Sequence, residues 1–215
     1  MNGILFSISS LFFAVSFSAQ PELKNLSLTD PAMDIIYIGV VNDLAVEGVS
    51  ERQNMEVVVG GKDAEGSNGR YYAMVHTPGT VKVDVYRKVQ GDRRLLTSKV
   101  FRSVLLSRPK ARLMAAADSN LSVGVIIANP QLETFYPGSQ FKSDCDISSF
   151  MLKITDSNGE ELLEQTGGEE NRLTEKMITL IRKLKPGDKL FFDEIRVFCR
   201  DGRGQKFEPF TVYIK

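Results

Sequence analysis

The sequence predicts a mainly β fold: two consecutive β-sandwich domains of immunoglobulin-like type, the second with one short packed helix. Three observations predict it. Val81, Val83 and Val85 alternate with Lys82, Asp84 and Tyr86, which gives a strand one buried and one wet face. Short runs rich in Val, Ile, Tyr and Phe recur between clusters of Gly, Asn, Asp and Pro, with no helical period ahead of Lys110. One capped helical segment interrupts the second half.

Residues 1–19 read as a signal peptide, "MNGILFSISSLFFAVSFSA", with an apolar run of about 14 residues that is short for a spanning helix. Cleavage is expected after Ala19, or after Ser18, where Ser16 and not the bulky Phe17 stands third before the cut. An exported chain, periplasmic or secreted, follows. No Cys near the cut supports a lipid anchor, and no later stretch is long enough to span a bilayer. Export permits the two cysteines to pair. Cys199 shares a strand face with Ile195 and Val197, and Cys145 with Phe141 and Ile147. If those strands adjoin, a bridge forms; otherwise two thiols are buried.

The first domain is expected over 20–108, with strands at 33–41, 55–59, 70–75, 80–89 and 94–106. Residues 60–69 read as a long polar loop, 77–79 as a tight turn and "QGD" at 90–92 as a hairpin. The second domain is expected over 109–215. Its opening reads as a helical turn near 112 followed by a strand at 121–128, then a hairpin over 141–164 turning at Asp156 to Gly159. Inward residues change from odd (Phe141, Cys145, Ile147) to even (Phe150, Leu152, Ile154), which calls for a bulge near Ser148 and Ser149. Thr174 then caps a helix of about ten residues, with Leu173 and Ile178 as a staple. Leu173, Met177, Ile181 and Leu184 form its inward stripe. Arg182, Lys183 and Lys185 crowd its last turn, and Pro186 with Gly187 stop it. A strand at 188–199 runs to an Asp201-Gly202 turn, and 205–215 returns with Pro209 at an edge or strand start.

Candidate chemistry is thin. With 27 basic and 27 acidic side chains, the chain has no net field to attract nucleic acid or an anionic membrane. His76 is the single histidine, at a strand end without a nucleophile elbow beside it. No CxxC or HExxH pattern supports zinc. Asp144 and Asp146 would share a face, where paired carboxylates can hold a hard cation or do acid–base work, but more often form a solvated face. "DSNGEE" at 156–161 lacks the ligand order of a calcium loop and reads as an Asx turn. The glycines at 60, 61, 66 and 69 match no phosphate loop. No enzyme activity, cofactor or metal is expected.

Three stretches carry a resemblance: "MDIIYIGVVNDLAVEGVS" (33–50), "GRYYAMVHTPGTVKVDVYRK" (69–88) with "VFRS" (100–103), and "LTEKMITLIRKLKPGDKLFFDEIRVFCRDGRGQKFEPFTVYIK" (173–215). Together they resemble the C-terminal region of GldM, the periplasmic shaft protein of gliding motility and type IX secretion. The resemblance implies a non-enzymatic module that docks onto envelope proteins, with a candidate docking surface around Asp193, Arg200 and Arg203. Components of a secretion or gliding machine are the implied partners, and a homodimer stays open. The chain departs from the family pattern in three places. It shows only a leader where shaft proteins carry a membrane helix and further domains; "SRPKA" replaces a Pro-Asp-Pro-like joint; and Cys199-Arg200 replaces Gly-Pro. The alternative is an exported ligand-binding or adhesive sandwich. A docking module should expose an apolar patch at one tip, a ligand binder a concave pocket with convergent polar groups.

Overall fold

Alternating apolar residues build the first half of the chain into two facing sheets. The computed structural model describes residues 20–49, 52–114, 119–166, 170–199 and 204–215. The expected leader, 1–19, lies outside the described residues, as does the Asp201-Gly202 turn. In chain order the strands are β1 (Glu22–Asn25), β2 (Ile35–Ile38), β3 (Val41–Glu47), β4 (Met55–Val59), β5 (Lys62–Asp63), β6 (Glu65–Ser67), β7 (Arg70–Met74), β8 (Gly79–Val89) and β9 (Asp92–Leu105). One sheet has the order β1-β3-β7-β6, the other β2-β9-β8-β4-β5. Ile36, Leu44, Val57, Tyr71, Val83, Val85 and Phe101 fill the space between them. Val83 and Val85 are fully buried, as the alternation predicts, and the buried Tyr71 hydroxyl donates to the Met55 carbonyl at 2.8 Å. Gln90 and Gly91 both have positive φ, 52° and 97°, the backbone a two-residue hairpin turn requires.

Two expectations fail here. Residues 33–41 are not one strand: the chain turns at Gly39, with β2 in one sheet and β3 in the other. The apolar run hides the turn because its anchor is a side chain further on. Asn42 accepts from the Tyr37 amide (2.9 Å) and donates to the carbonyls of Tyr37 (2.8 Å) and Val40 (3.1 Å). Asn25 donates to the Ile35 carbonyl (2.9 Å) and to Asn42 Oδ1 (3.1 Å). Both amides are fully buried and stand in for a missing ladder where the chain crosses the sandwich. Replacing Asn42 by Ala leaves these backbone groups unpaired, and a loss of about 2 kcal/mol in urea unfolding is expected; under 0.5 kcal/mol would refute the anchoring role. The supposed polar loop at 60–69 also carries structure, since β5 extends one sheet and β6 edges the other.

The wet face of β8 carries a pH signature. The Ser98 hydroxyl, and after it the Lys82 ammonium, hold the Asp84 carboxyl below the usual aspartate range. A depressed folded-state value means this contribution is complete above the unfolded value of about 3.9 and is lost as pH falls through the folded one. Ser98→Ala should therefore move the Asp84 titration, followed by carboxyl NMR, upward toward that value. An unmoved titration would assign the shift to Lys82 and the Tyr86 hydroxyl.

The second half continues with β10 (Lys110–Leu113), β11 (Asn120–Leu121), α1 (Val123–Ala128), β12 (Leu132–Phe135), β13 (Cys145–Thr155), β14 (Glu161–Thr166), α2 (Glu175–Ile181), β15 (Lys189–Cys199), β16 (Gly204–Lys206) and β17 (Phe210–Ile214). One sheet runs β11-β17-β15-β13-β14 with β16 also on β15; β10 and β12 form a separate ribbon. The core gathers Ile126, Phe150, Leu152, Met177, Ile181, Leu190, Phe192 and Val212. The expected strand at 121–128 is instead helix α1 after a two-residue strand, so the described residues of this half carry two helices, not one. Tertiary packing overrides the β-branched run: Ile126 is buried and Val123 and Ile127 pack on the same core. Helix α2 begins where expected, with the Thr174 hydroxyl accepting from the Met177 amide at 3.3 Å. It is shorter than expected, seven residues, so Lys183 and Lys185 follow it and do not lie in its last turn. Pro209 immediately precedes β17, consistent with a strand start. No helix among the described residues is long and apolar enough to cross a membrane.

Candidate functional site

The segment from α2 through β15 is the most tightly specified in the sequence, and the structure shows what specifies it. The Asp188 carboxylate accepts from the Lys185 amide (2.8 Å) and, across the domain, from the Ser157 amide in the β13–β14 turn (3.0 Å). Gly187 takes φ 97° and donates to the Ile214 carbonyl at 2.9 Å. The Lys-Pro-Gly-Asp run is thus a joint that locks the helix, a neighbouring turn and the last strand together. Its role is to hold shape.

Beyond that joint, β15 pairs with β13 in a register that sets Cys145 opposite Cys199, and their sulfurs are bonded. The ladder shifts at Ile147 to Ser149, where the parity change in β13 places a bulge, and again between Ser149 and Met151. The second shift belongs to β15. Leu190 and Phe192 point inward at even positions, Ile195, Val197 and Cys199 at odd ones, and Glu194 between them has φ 48°. The same parity count applied to 188–199 would have found it. This bulge turns Asp193 and Glu194 toward β16. Lys206 donates to Glu194 at 2.6 Å and stands 3.9 Å from Asp193; the Glu194 hydrogen bond raises the lysine above its ordinary value. Of the three candidate docking residues, Asp193 is placed; Arg200 and Arg203 lie outside the described residues. On the same strand as Asp193, Phe198 is 57% exposed, beside a shallow concavity whose lining includes Ser148, Glu194, Arg196 and Lys206. His76, Asp144 and Asp146 are all exposed, and among the described residues no group of three or more His, Cys, Asp or Glu is placed to hold a metal.

A feature that the strand pattern did not reveal is the seam between the two halves. Loop 136–144 of the second half plugs into the first. Phe141 meets Tyr37 edge-on at 5.5 Å and Tyr136 at 5.6 Å, with Leu28 and Ile35 completing a small apolar cluster. Around it the Thr29 amide donates to the Gln140 carbonyl (2.8 Å), the Lys142 amide to the Ser27 carbonyl (2.8 Å) and the Gln140 amide to the Tyr37 hydroxyl (3.0 Å). The available signal was "FYPGSQF", three aromatics around a Pro-Gly turn, too apolar for a solvated loop. Beside the seam, between β12 and the start of β13, lies a cleft of about 530 Å³ with a polar lining that includes Thr29, Arg112, Glu133, Thr134, Asp146 and Asn171.

The fold and seam define a class: a two-part β-sandwich-type protein with two small helices among the described residues, braced by one disulfide. No protein-family model and no curated protein matches the sequence. Solved structures similar to it include the fibronectin(III)-like modules of Clostridium thermocellum CbhA, at 11% identity and TM-score 0.31, covering 90% of this chain and 93% of that one. Domains 6-7 of the surface layer protein SbsC match at 12% identity and TM-score 0.27, covering 91% and 97%. Dimeric latent PorU from Porphyromonas gingivalis matches at 10% identity and TM-score 0.25; 96% of this chain is covered but 21% of PorU. These likenesses are architectural, and nothing about activity or partners is drawn from them.

Proposed function

We propose that this chain is a non-enzymatic, exported envelope protein that works as a protein–protein interaction module, similar to the C-terminal periplasmic part of GldM. The observation that carries the reading is the seam. An aromatic plug with three hydrogen bonds from backbone amides around it, two to carbonyls and one to the Tyr37 hydroxyl, fixes one half against the other, as a docking body of set shape requires. The Asp188 joint and the second-half bulges serve the same end, and the exposed Phe198 supplies the apolar tip that a docking module needs. The Cys145–Cys199 disulfide supports an oxidising compartment, periplasmic or extracellular. The resemblance of residues 173–215 to the GldM terminus supports envelope partners from a secretion or gliding machine, docking around Asp193, Arg200 and Arg203.

The test is a mild crosslinking pull-down of the tagged mature chain from its native envelope fraction, read by mass spectrometry. Recovery of secretion or gliding components, at least fivefold weaker for a Phe198→Ala, Asp193→Lys double variant of unchanged melting temperature, supports the reading. A chain that returns alone, or with glycans in place of proteins, overturns it.

A further inference from the structure

Strand β9 outruns its neighbour in the first-half sheet. On the side away from β8 it pairs with β2 only through Arg102 to Leu105, and the stretch from Arg93 to Phe101 lies beyond the end of that short strand. Three bonds fix which peptide groups point that way. The Arg102 amide donates to the Asp34 carbonyl (2.9 Å), away from β8. The Lys82 carbonyl, opposite Val100, accepts from the Gly60 amide (2.9 Å), and the Lys88 amide, opposite Arg93, donates to the Asn54 carbonyl (2.8 Å), both away from β9. Thr80 with Arg102, Lys82 with Val100 and Lys88 with Arg93 are therefore non-hydrogen-bonded pairs of the β8–β9 ladder. At the two-residue period Ser98 joins Val100, and Leu95, opposite Tyr86, joins Arg93; Leu96 is the extra residue between the two sets. The peptide groups of Arg93, Leu95, Ser98 and Val100 thus face outward, and among the described residues none of them has a partner on that side.

The side chains of the same stretch are also unmatched. Leu95 and Val100 are apolar yet 49% and 56% exposed. Arg94 and Arg102, near its two ends, are exposed and meet no carboxylate among the described residues. The carboxylates nearby are engaged elsewhere: Glu56 with Arg93 at 2.7 Å, Asp34 with Lys99 at 2.7 Å and Asp84 with Lys82 at 2.9 Å, which leaves Asp92 at the hairpin turn.

We propose that this edge binds an extended segment of a partner protein, with apolar side chains at alternate positions and carboxylates near both ends, as a strand added to β9. The added backbone pairs with the four outward peptide groups, its apolar side chains cover Leu95 and Val100, and its carboxylates meet Arg94 and Arg102. Arg93 to Val100, less the bulged residue, spans roughly 20 Å at 3.3 Å per residue, room for about seven residues of partner. A bulge and a row of cations guard an edge against indiscriminate pairing, so the occupant has to bring the opposite charge. A second copy does not: full antiparallel overlap of two β9 strands sets Arg93 of each against Arg102 of the other. The contact lies in the first half and stands apart from the Phe198 surface of the second.

The test uses the mature full chain and two blocked heptapeptides, Glu-Thr-Val-Thr-Val-Thr-Glu and its twin with Lys at both ends, titrated at low salt and followed by amide NMR. The acidic peptide should shift the signals of Arg93, Leu95, Ser98 and Val100 together and slow their hydrogen exchange. It should bind about tenfold tighter than the twin, the difference expected from two exposed ion pairs. Val100→Pro removes an outward amide without touching a ladder bond, and should abolish binding with the melting temperature little changed. Arg94→Glu with Arg102→Glu keeps the edge and should reverse the preference between the two peptides. No shift at millimolar peptide, shifts on other residues, equal affinity for the twin or an unreversed preference overturns the inference. Dimerisation that moves the same amides and is lost in Val100→Pro assigns the edge to a second copy and equally overturns it. The Phe198→Ala, Asp193→Lys variant should bind the acidic peptide as the parent does, so failure of either surface leaves the other standing.

Discussion

Replacing both Cys145 and Cys199 by Ala is expected to cost about 4 kcal/mol of second-half stability, the chain-entropy value for a closed loop of this length. The bridge spans a sequence separation of 54 and joins residues already opposite each other in the β13–β15 register. Its main action is thus on the unfolded chain, where it holds the ends of two central strands together while the intervening β14, α2 and most of β15 are disordered. The Ala pair removes the crosslink without adding buried hydroxyls. Urea unfolding of the oxidised chain and of the Ala pair should show the midpoint falling for the second half; a change under 1 kcal/mol would mean that native packing alone closes that loop. The same comparison bears on compartment. Chain made in a reducing cytosol should match the Ala pair, and chain made in an oxidising one should not.

How much of this was legible differs from element to element, and the reasons are physical. The alternation in β8 was readable because one sheet face meets core and the other meets water. The bulge at Ser148 and Ser149 was readable because burial keeps a two-residue count that an extra residue breaks, and the bulge at Glu194 carried the same unread signal. The split of 33–41 was hidden, since Asn42 anchors the turn from outside it. Helix α1 was hidden because local β propensity points one way and packing on α2 and the sheet points the other. The seam depends on pairings such as Gln140 with Tyr37, 103 residues apart, which no local pattern encodes. Of the candidate site, the cysteine pair was reachable from strand-face spacing, whereas Asp193 was named only through the resemblance. Thr134 was not reachable, because a threonine in a strand is ordinary until its hydroxyl is seen to donate to the Cys145 carbonyl of another strand.

Phe141→Ala should do more than lower stability: it should uncouple the two halves. Large aromatic truncation in a core costs about 3–5 kcal/mol, and here it removes two edge-to-face contacts, with Tyr37 on one side of the seam and Tyr136 on the other. Phe141 lies in neither sheet's interior. It contributes to the small seam cluster, while the two main cores are built from other residues. Each half therefore keeps its own packing when the plug is lost, and the loss falls on the contact between them. Calorimetry should show one cooperative transition in the parent chain and two in the variant, with a larger radius of gyration in solution scattering. Phe141→Leu separates packing from ring geometry: it keeps apolar volume but offers no ring to Tyr37, so it should lose about 1 kcal/mol and keep the single transition. If Phe141→Ala still melts in one transition with unchanged scattering, the backbone bonds of Thr29, Gln140 and Lys142 hold the seam by themselves. An aromatic plug would then not set the docking shape, and the interaction reading would lose the feature on which it stands.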